Sequence, residues 1–119
     1  MQVVDHLSQD YEEWRPGVST QMRISERSGA EALCVFEQMC DPGCGAPAHF
    51  HTVEEVLTVR EGVAEVWLGN ERATLTAGQS VIVPAHQRHG FRNAGETVLH
   101  MDAILAASSF EAVTRREML

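Results

Sequence analysis

The sequence predicts an all-β fold built around one core. Apolar residues recur at every second position in short runs, and Gly, Pro and Asn interrupt those runs. This period of two is typical of β-strands, because successive side chains of a strand point to opposite faces. The chain has 119 residues, so we expect one domain spanning residues 1–119; a second domain would lack a core of its own.

The alternation predicts eight strands, and turn residues separate them. In chain order the predicted strands are Val18–Ile24, Ala32–Met39, Glu55–Arg60, Val63–Leu68, Ala73–Leu75, Ser80–Val83, Gly90–Asn93 and Thr97–Leu105. The turn signals are Pro42-Gly43, Glu61-Gly62, Gly69-Asn70, Ala77-Gly78 and Asn93-Ala94-Gly95. Short strands joined by tight turns pair antiparallel. They leave few unpaired N–H and C=O groups at strand edges when they form a sandwich or a barrel, and the jelly roll is one such fold.

The C-terminus departs from the strand pattern. Ser108-Ser109-Phe110-Glu111 has the spacing of a capping box, in which a serine and a glutamate satisfy the first N–H groups of a helix. We therefore predict a short C-terminal helix over residues 112–119.

Charge and composition exclude several classes of partner. The chain carries 9 Lys and Arg against 17 Asp and Glu, a net charge of -8, which is the wrong sign for nucleic acid or an anionic membrane. No apolar run approaches the roughly 18 residues of a membrane span, and the N-terminus lacks the basic and apolar regions of a signal peptide. We expect a cytoplasmic protein. Its odd set of cysteines, Cys34, Cys40 and Cys44, is then expected to be reduced and unpaired.

Histidine is the unusual feature of the composition, with 6 in the chain. His49, His51 and Glu55 occupy odd positions, so they share one face if a single strand carries them, and that face continues into the apolar Leu57. A carboxylate buried without a partner is costly, and a divalent cation removes the cost. His89, on a later predicted strand, is the natural fourth ligand.

Two segments resemble the signature motifs of the cupin superfamily. The first, over residues 43–62, reads Gly43-(x)5-His49-x-His51-(x)3-Glu55-(x)6-Gly62. The second, over residues 78–93, reads Gly78-(x)5-Pro84-x-His86-(x)2-His89-(x)3-Asn93. The resemblance implies a small double-stranded β-helix, or jelly-roll barrel, that binds a metal through His49, His51, Glu55 and His89. His86 is the one departure, since the family pattern has a glycine there.

The resemblance and the donor set together suggest an enzyme. Three imidazoles and a carboxylate suit iron, manganese, nickel, copper, cobalt or zinc, and they leave about two positions open on an octahedral ion. We expect one such ion per chain and a small-molecule substrate or ligand, with dioxygenase-like chemistry first. The alternatives are a non-catalytic binding or sensor protein and a metal-dependent isomerase or lyase.

Further residues are candidates for the surroundings of the metal. His86 and His100 are candidate proton carriers. Other residues could form the apolar wall of a pocket or orient a ligand through a polar group, although a plain core or surface role is the alternative for each. These candidates are Phe36, Met39, Phe50, Trp67, Phe91, Met101, Arg23, Gln38, His100 and Asp102. Similar small cupins pair through terminal strands, so a homodimer is expected, with the segment Trp14-Arg15-Pro16-Gly17-Val18 as a candidate contact.

Overall fold

The computed structural model describes residues 1–111, and within them the chain is built from strands and two short 3-10 helices. The helices are His6–Ser8 and Glu26–Ser28. The predicted C-terminal helix over residues 112–119 lies outside the described residues. No helix among residues 1–111 is long and apolar enough to cross a membrane.

The strands of residues 1–111 form two antiparallel sheets. In chain order they are β1 (Glu12–Arg15), β2 (Val18–Ile24), β3 (Cys34–Cys40), β4 (Gly45–His49), β5 (Glu55–Glu61), β6 (Val63–Leu68), β7 (Glu71–Thr76), β8 (Ser80–Val83), β9 (His89–Asn93) and β10 (Leu99–Leu105). The six-stranded sheet has the order β1-β2-β3-β10-β5-β8, and the four-stranded sheet has the order β4-β9-β6-β7. This is a jelly roll, and the expected all-β architecture is confirmed.

All eight predicted strands are present, and β2, β6 and β8 have the predicted bounds. The prediction missed β1 and β4. Strand β4 contains small residues and Pro47, so it lacks an apolar alternation, and its place at the edge of the four-stranded sheet tolerates a residue without an N–H. Strand β1 begins with two glutamates, and it too is an edge strand.

The core lies between the two sheets and follows the period of two. On β10 the side chains of Leu99, Met101, Ala103 and Leu105 are buried, whereas those between them are not. Strand β3 pairs with β10 over its whole length, and Met101 lies opposite Gln38. Gln38 is buried and donates to the Thr20 hydroxyl, so this inward-facing polar group keeps a partner.

Candidate metal centre

The four predicted ligands come from three strands and one loop. His49 ends β4, Glu55 begins β5, His89 begins β9, and His51 lies in the connection between β4 and β5. The condition that a single strand carries His49, His51 and Glu55 is not met, because β4 and β5 belong to different sheets. The three side chains still converge, since the chain crosses from one sheet to the other between them.

The four side chains form one compact, buried cluster. One donor atom from each of His49, His51, Glu55 and His89 can be chosen so that all lie within 4.8 Å of one another. The four residues are between 1 and 7% exposed. Imidazole nitrogens and a carboxylate oxygen at this separation are a donor set that fits a divalent transition-metal ion.

Backbone carbonyls hold the three imidazoles in one tautomer. The Nδ1 atom of His49 lies 2.6 Å from the carbonyl oxygen of Pro47, and Nδ1 of His89 lies 2.8 Å from that of Gln87. Nδ1 of His51 contacts the carbonyl oxygen of Glu111. When Nδ1 donates its proton to a carbonyl, Nε2 is left as the lone-pair nitrogen, which is how metal-binding histidines are commonly oriented.

The Nε2 atoms of His51 and His89 lie close to the Glu55 carboxylate. Nε2 of His89 lies 3.1 Å from Oε1 of Glu55, and Nε2 of His51 lies 3.5 Å from the same oxygen. Nε2 of His51 is buried and lacks a hydrogen-bond partner among the described residues. A buried nitrogen left without a partner is costly, so the observation fits a site built to coordinate an ion.

The protonation of the cluster reflects its burial. Burial lowers the pKa of His49 to about 4, and the neighbouring His89 and His51 add to that effect. Burial alone would raise the pKa of Glu55, but its contacts with His51 and His89 outweigh that effect and hold the pKa at about 2. Burial likewise opposes the charged form of His51, yet its contacts with Glu55 raise its pKa. Glu55 is therefore a carboxylate and His49 a neutral base at neutral pH.

A small apolar cavity opens beside the cluster. His49, Glu55 and His89 form one side of it, and its volume is about 60 Å³, room for roughly four water molecules. The remaining lining residues are Trp14, Arg15, Phe36, Gln38, Ala46, Pro47, Leu57, Phe91 and Phe110. Aromatic rings thus dominate the walls, and Arg15 and Gln38 supply the polar groups away from the cluster.

Comparison with known proteins assigns the family. The sequence model described as Cupin domain matches residues 36–106, more than half of the chain. The chain belongs to the cupin family. Polyketide synthase CurC of Streptomyces cyaneus is 34% identical over 83 residues, which cover 69% of this chain and 51% of that protein. The chain therefore spans about half the length of this curated relative.

Solved structures share the cupin fold at lower identity. The polyketide cyclase RemF from Streptomyces resistomycificus is 19% identical with a TM-score of 0.80, and the match covers 96% of this chain and 84% of that one. An RmlC-like cupin from Shewanella frigidimarina is 23% identical with a TM-score of 0.74, and the match covers 100% of both chains. At these identities the likeness concerns the fold.

The two candidate proton carriers of this cupin lie away from the cavity. His100 faces the outside of the six-stranded sheet, where Nε2 contacts a carboxylate oxygen of Glu37. His86 is exposed in the turn between β8 and β9, and its φ of 67° is the only positive value outside glycine among residues 1–111. Neither side chain lines the cavity. The main chain of His86 does contact that of the predicted ligand His51.

The other candidates divide in the same way. Phe36, Phe91 and Gln38 line the cavity. Met39, Phe50, Trp67, Met101, Arg23 and Asp102 do not. Trp67 lies under the guanidinium of Arg72 instead, 5.7 Å from the ring centroid, and Arg60 pairs with Asp102 at 2.8 Å on the outer face.

Sequence reasoning missed five lining residues: Trp14, Arg15, Ala46, Pro47 and Phe110. The first two belong to β1 and the next two to β4, strands that have no apolar alternation, and Phe110 was assigned to a capping box. The cysteines take no part in the cluster, since Cys34, Cys40 and Cys44 are free and none lines the cavity.

Proposed function

We propose that this cupin binds one divalent transition-metal ion through His49, His51, Glu55 and His89 and acts as an enzyme on a small organic molecule. The convergence of four buried donor atoms within 4.8 Å carries the proposal. The orientation of all three imidazoles by main-chain carbonyls supports it, because such second contacts are typical of metal sites.

The bound ion would act as a Lewis acid on a substrate oxygen. The chain's own residues would do the rest. The carboxylate of Glu55 balances the charge at the site, and the rings of Trp14, Phe36 and Phe91 exclude water from the cavity. Arg15 donates one hydrogen bond of 3.0 Å to the Gly45 carbonyl, and its guanidinium can offer further donors to an oxygen-bearing substrate.

For the substrate we propose an aromatic or polyketide-type molecule that undergoes ring closure or isomerisation without net oxidation. The aromatic walls of the cavity suit planar rings. Two of the similar proteins bear polyketide names, and one of them is a cyclase. Among the functions considered from the sequence, this proposal corresponds to the metal-dependent isomerase or lyase.

A dioxygenase-like oxidoreductase is the second candidate. It rests on the donor set, because about two open positions on an octahedral ion admit a substrate oxygen and dioxygen together. Products separate the two candidates: cyclisation with dehydration loses water and consumes no oxygen, whereas dioxygenation adds two oxygen atoms and depletes dissolved oxygen.

The experiment starts with elemental analysis of untagged protein, followed by reconstitution of metal-free protein with Fe²⁺, Mn²⁺ or Zn²⁺. Each form is incubated with linear poly-β-ketones and with phenolic acids, while an oxygen electrode and mass spectrometry record the outcome. His51→Ala should abolish metal uptake and turnover, and His100→Ala, on the outer face, should keep both. Metal uptake without turnover would favour the binding or sensor alternative, and protein unable to take up metal would refute the proposal.

We also propose a cytoplasmic homodimer. An apolar row crosses the outer face of the six-stranded sheet, where Ile104 lies opposite Val35 and Val56, and Val56 lies opposite Ile82. Ile82 and Ile104 are 64% and 46% exposed, which suits a partner subunit on this face. Sedimentation at micromolar concentration tests the dimer, and a monomer would refute it; cell fractionation tests the location.

A further inference from the structure

Phe110 stands between two separate spaces. On one side is the small cavity beside the cluster, and on the other is an outer groove of about 220 Å³. Phe110 and Trp14 line both. The other residues of the outer groove are Met22, Ser25, Glu26, Arg27, Ser108 and Ser109. The two aromatic rings are therefore a partition between an apolar inner space and a more polar outer one.

The partition is made of packed rings. The ring centroid of Phe110 lies 4.6 Å from that of Trp14 and 5.5 Å from that of Phe36, which it meets edge to face. It also lies 5.3 Å from the imidazole of His51. One side chain near the C-terminal end of the described residues thus contacts the cavity wall and a predicted metal ligand together.

The segment that carries Phe110 also holds His51. The carbonyls that fix His49 and His89 come from two residues upstream in each case, Pro47 and Gln87. His51 differs, because its Nδ1 contacts the carbonyl oxygen of Glu111, 60 positions along the chain.

The same segment is tied to the barrel by main-chain hydrogen bonds. The Ala106 N–H donates to the Glu54 carbonyl at 3.0 Å, and the Glu26 N–H donates to the Ser108 carbonyl at 2.7 Å. Beyond Ser108, residues 109–111 make no hydrogen bond with the main chain of another described residue. The position of the Glu111 carbonyl therefore depends on the packing of Phe110.

We propose that Phe110 determines the length of substrate that the cavity accepts, and that by anchoring Glu111 it positions His51. The inner space of about 60 Å³ is too small for a fused-ring molecule while the partition is in place. A longer substrate would reach the outer groove only where the Phe110 ring is displaced or absent, because Phe110 and Trp14 are in contact. The first part concerns the cavity alone, and the second part rests on the proposed metal site.

The test compares Phe110→Ala with Val98→Ala. The first variant removes the partition and the anchor. The second truncates an apolar side chain that is 48% exposed and lines neither space. Calorimetry measures the affinity for two probes, phenol and 2-naphthol, in the metal-free protein. The affinity for Zn²⁺ is measured separately by competition with a chromophoric chelator. Phe110→Leu, which keeps apolar volume at the site, serves if the alanine variant does not fold.

For Phe110→Ala we expect the preference for 2-naphthol over phenol to rise about tenfold, because the second ring gains an apolar space. The affinity for Zn²⁺ should fall about tenfold, as is usual when a contact that orients a ligand is lost. Phe110→Leu should lie between, and Val98→Ala should match the unaltered protein. An unchanged probe preference overturns the partition, and an unchanged Zn²⁺ affinity overturns the positioning of His51. Failure of the unaltered protein to bind any metal would instead refute the proposed function and leave the probe preference as a test of the partition.

Discussion

The main-chain N–H of His86 donates a hydrogen bond of 2.7 Å to the carbonyl oxygen of His51. The turn between β8 and β9 is thereby tied to the loop that carries a predicted metal ligand. His86 reaches this bond with a φ of 67°, the left-handed region that glycine adopts without strain. The family pattern has a glycine at this position. The left-handed backbone that places the N–H for this hydrogen bond supplies a reason for the glycine. The contribution of His86 is made by its backbone, since its ring is exposed.

Replacing His86 with glycine should therefore stabilise the protein. The left-handed conformation costs a non-glycine residue about 1–2 kcal/mol, and the greater freedom of an unfolded glycine returns about 0.5–1 kcal/mol. A net gain of about 0.5–1 kcal/mol is expected for His86→Gly in urea unfolding. His86→Ala keeps the strain and should gain nothing. Equal stabilities of the two variants would show that the turn is not strained.

The members of the buried cluster were predictable from the sequence, but their arrangement was not. Residue type and spacing singled out His49, His51 and Glu55, and the resemblance to the two cupin motifs added His89 as the fourth predicted ligand. The break between β4 and β5 was not predictable from the odd and even positions of the residues, because this alternation does not show where a chain passes from one sheet to another. Trp14 and Phe110 lie far apart in sequence and meet at 4.6 Å, a long-range contact that no local pattern contains.

The same limit applies to the fold. Alternation located the strands that have one apolar and one polar face, such as β6 and β10. It missed β1 and β4, whose edge positions require fewer apolar contacts and tolerate Pro47. On β10 the alternation also explains His100, which lies on the face opposite the buried Leu99 and Met101 and contacts Glu37 there.

Removal of metal should destabilise the protein. An ion that binds only the folded state adds stability as its concentration exceeds the dissociation constant, about 4 kcal/mol at a thousandfold excess. Excess chelator should therefore lower the melting temperature, and Zn²⁺ should restore it. In His49→Ala the melting temperature should not respond to either addition. A response equal to that of the unaltered protein would place the metal elsewhere.

Glu37 should matter for stability and not for metal uptake. It is buried on the outer face of the six-stranded sheet, where it contacts Arg23 and His100 and accepts a hydrogen bond of 3.2 Å from the Tyr11 hydroxyl. Glu37→Gln removes the charge that these groups share, and a loss of about 2 kcal/mol in unfolding free energy is expected, since the partners are partly exposed. Urea unfolding and Zn²⁺ titration check the two parts.

Glu65→Gln is the matched control for Glu37. Glu65 pairs with Arg72 and Arg92 at 3.2 Å on the surface, and such pairs contribute about 0–1 kcal/mol. A cost for Glu37→Gln no larger than that for Glu65→Gln would show that the outer cluster contributes no more than an exposed pair. Reduced Zn²⁺ uptake in Glu37→Gln would link the outer face to the metal centre.

Alkaline pH should destabilise the protein through two buried thiols. Burial raises the pKa of Cys34 from 9.0 to about 11 and that of Cys40 from 9.0 to about 12. The unfolded chain loses these protons near pH 9 and the folded chain does not, so the stability that they contribute is fully present below pH 9. It is lost as the pH rises through the folded values, at about 1.4 kcal/mol per pH unit for each thiol.

The free energy of unfolding should therefore fall between pH 9 and pH 11, and Cys40→Ala should make that fall shallower. The comparison is with Val59→Ala, which also truncates a fully buried side chain but removes no thiol. It should lower the stability at every pH and leave the slope unchanged. Equal slopes for Cys40→Ala and Val59→Ala would assign the alkaline loss to other groups, because only the first variant removes a thiol whose proton the folded barrel retains.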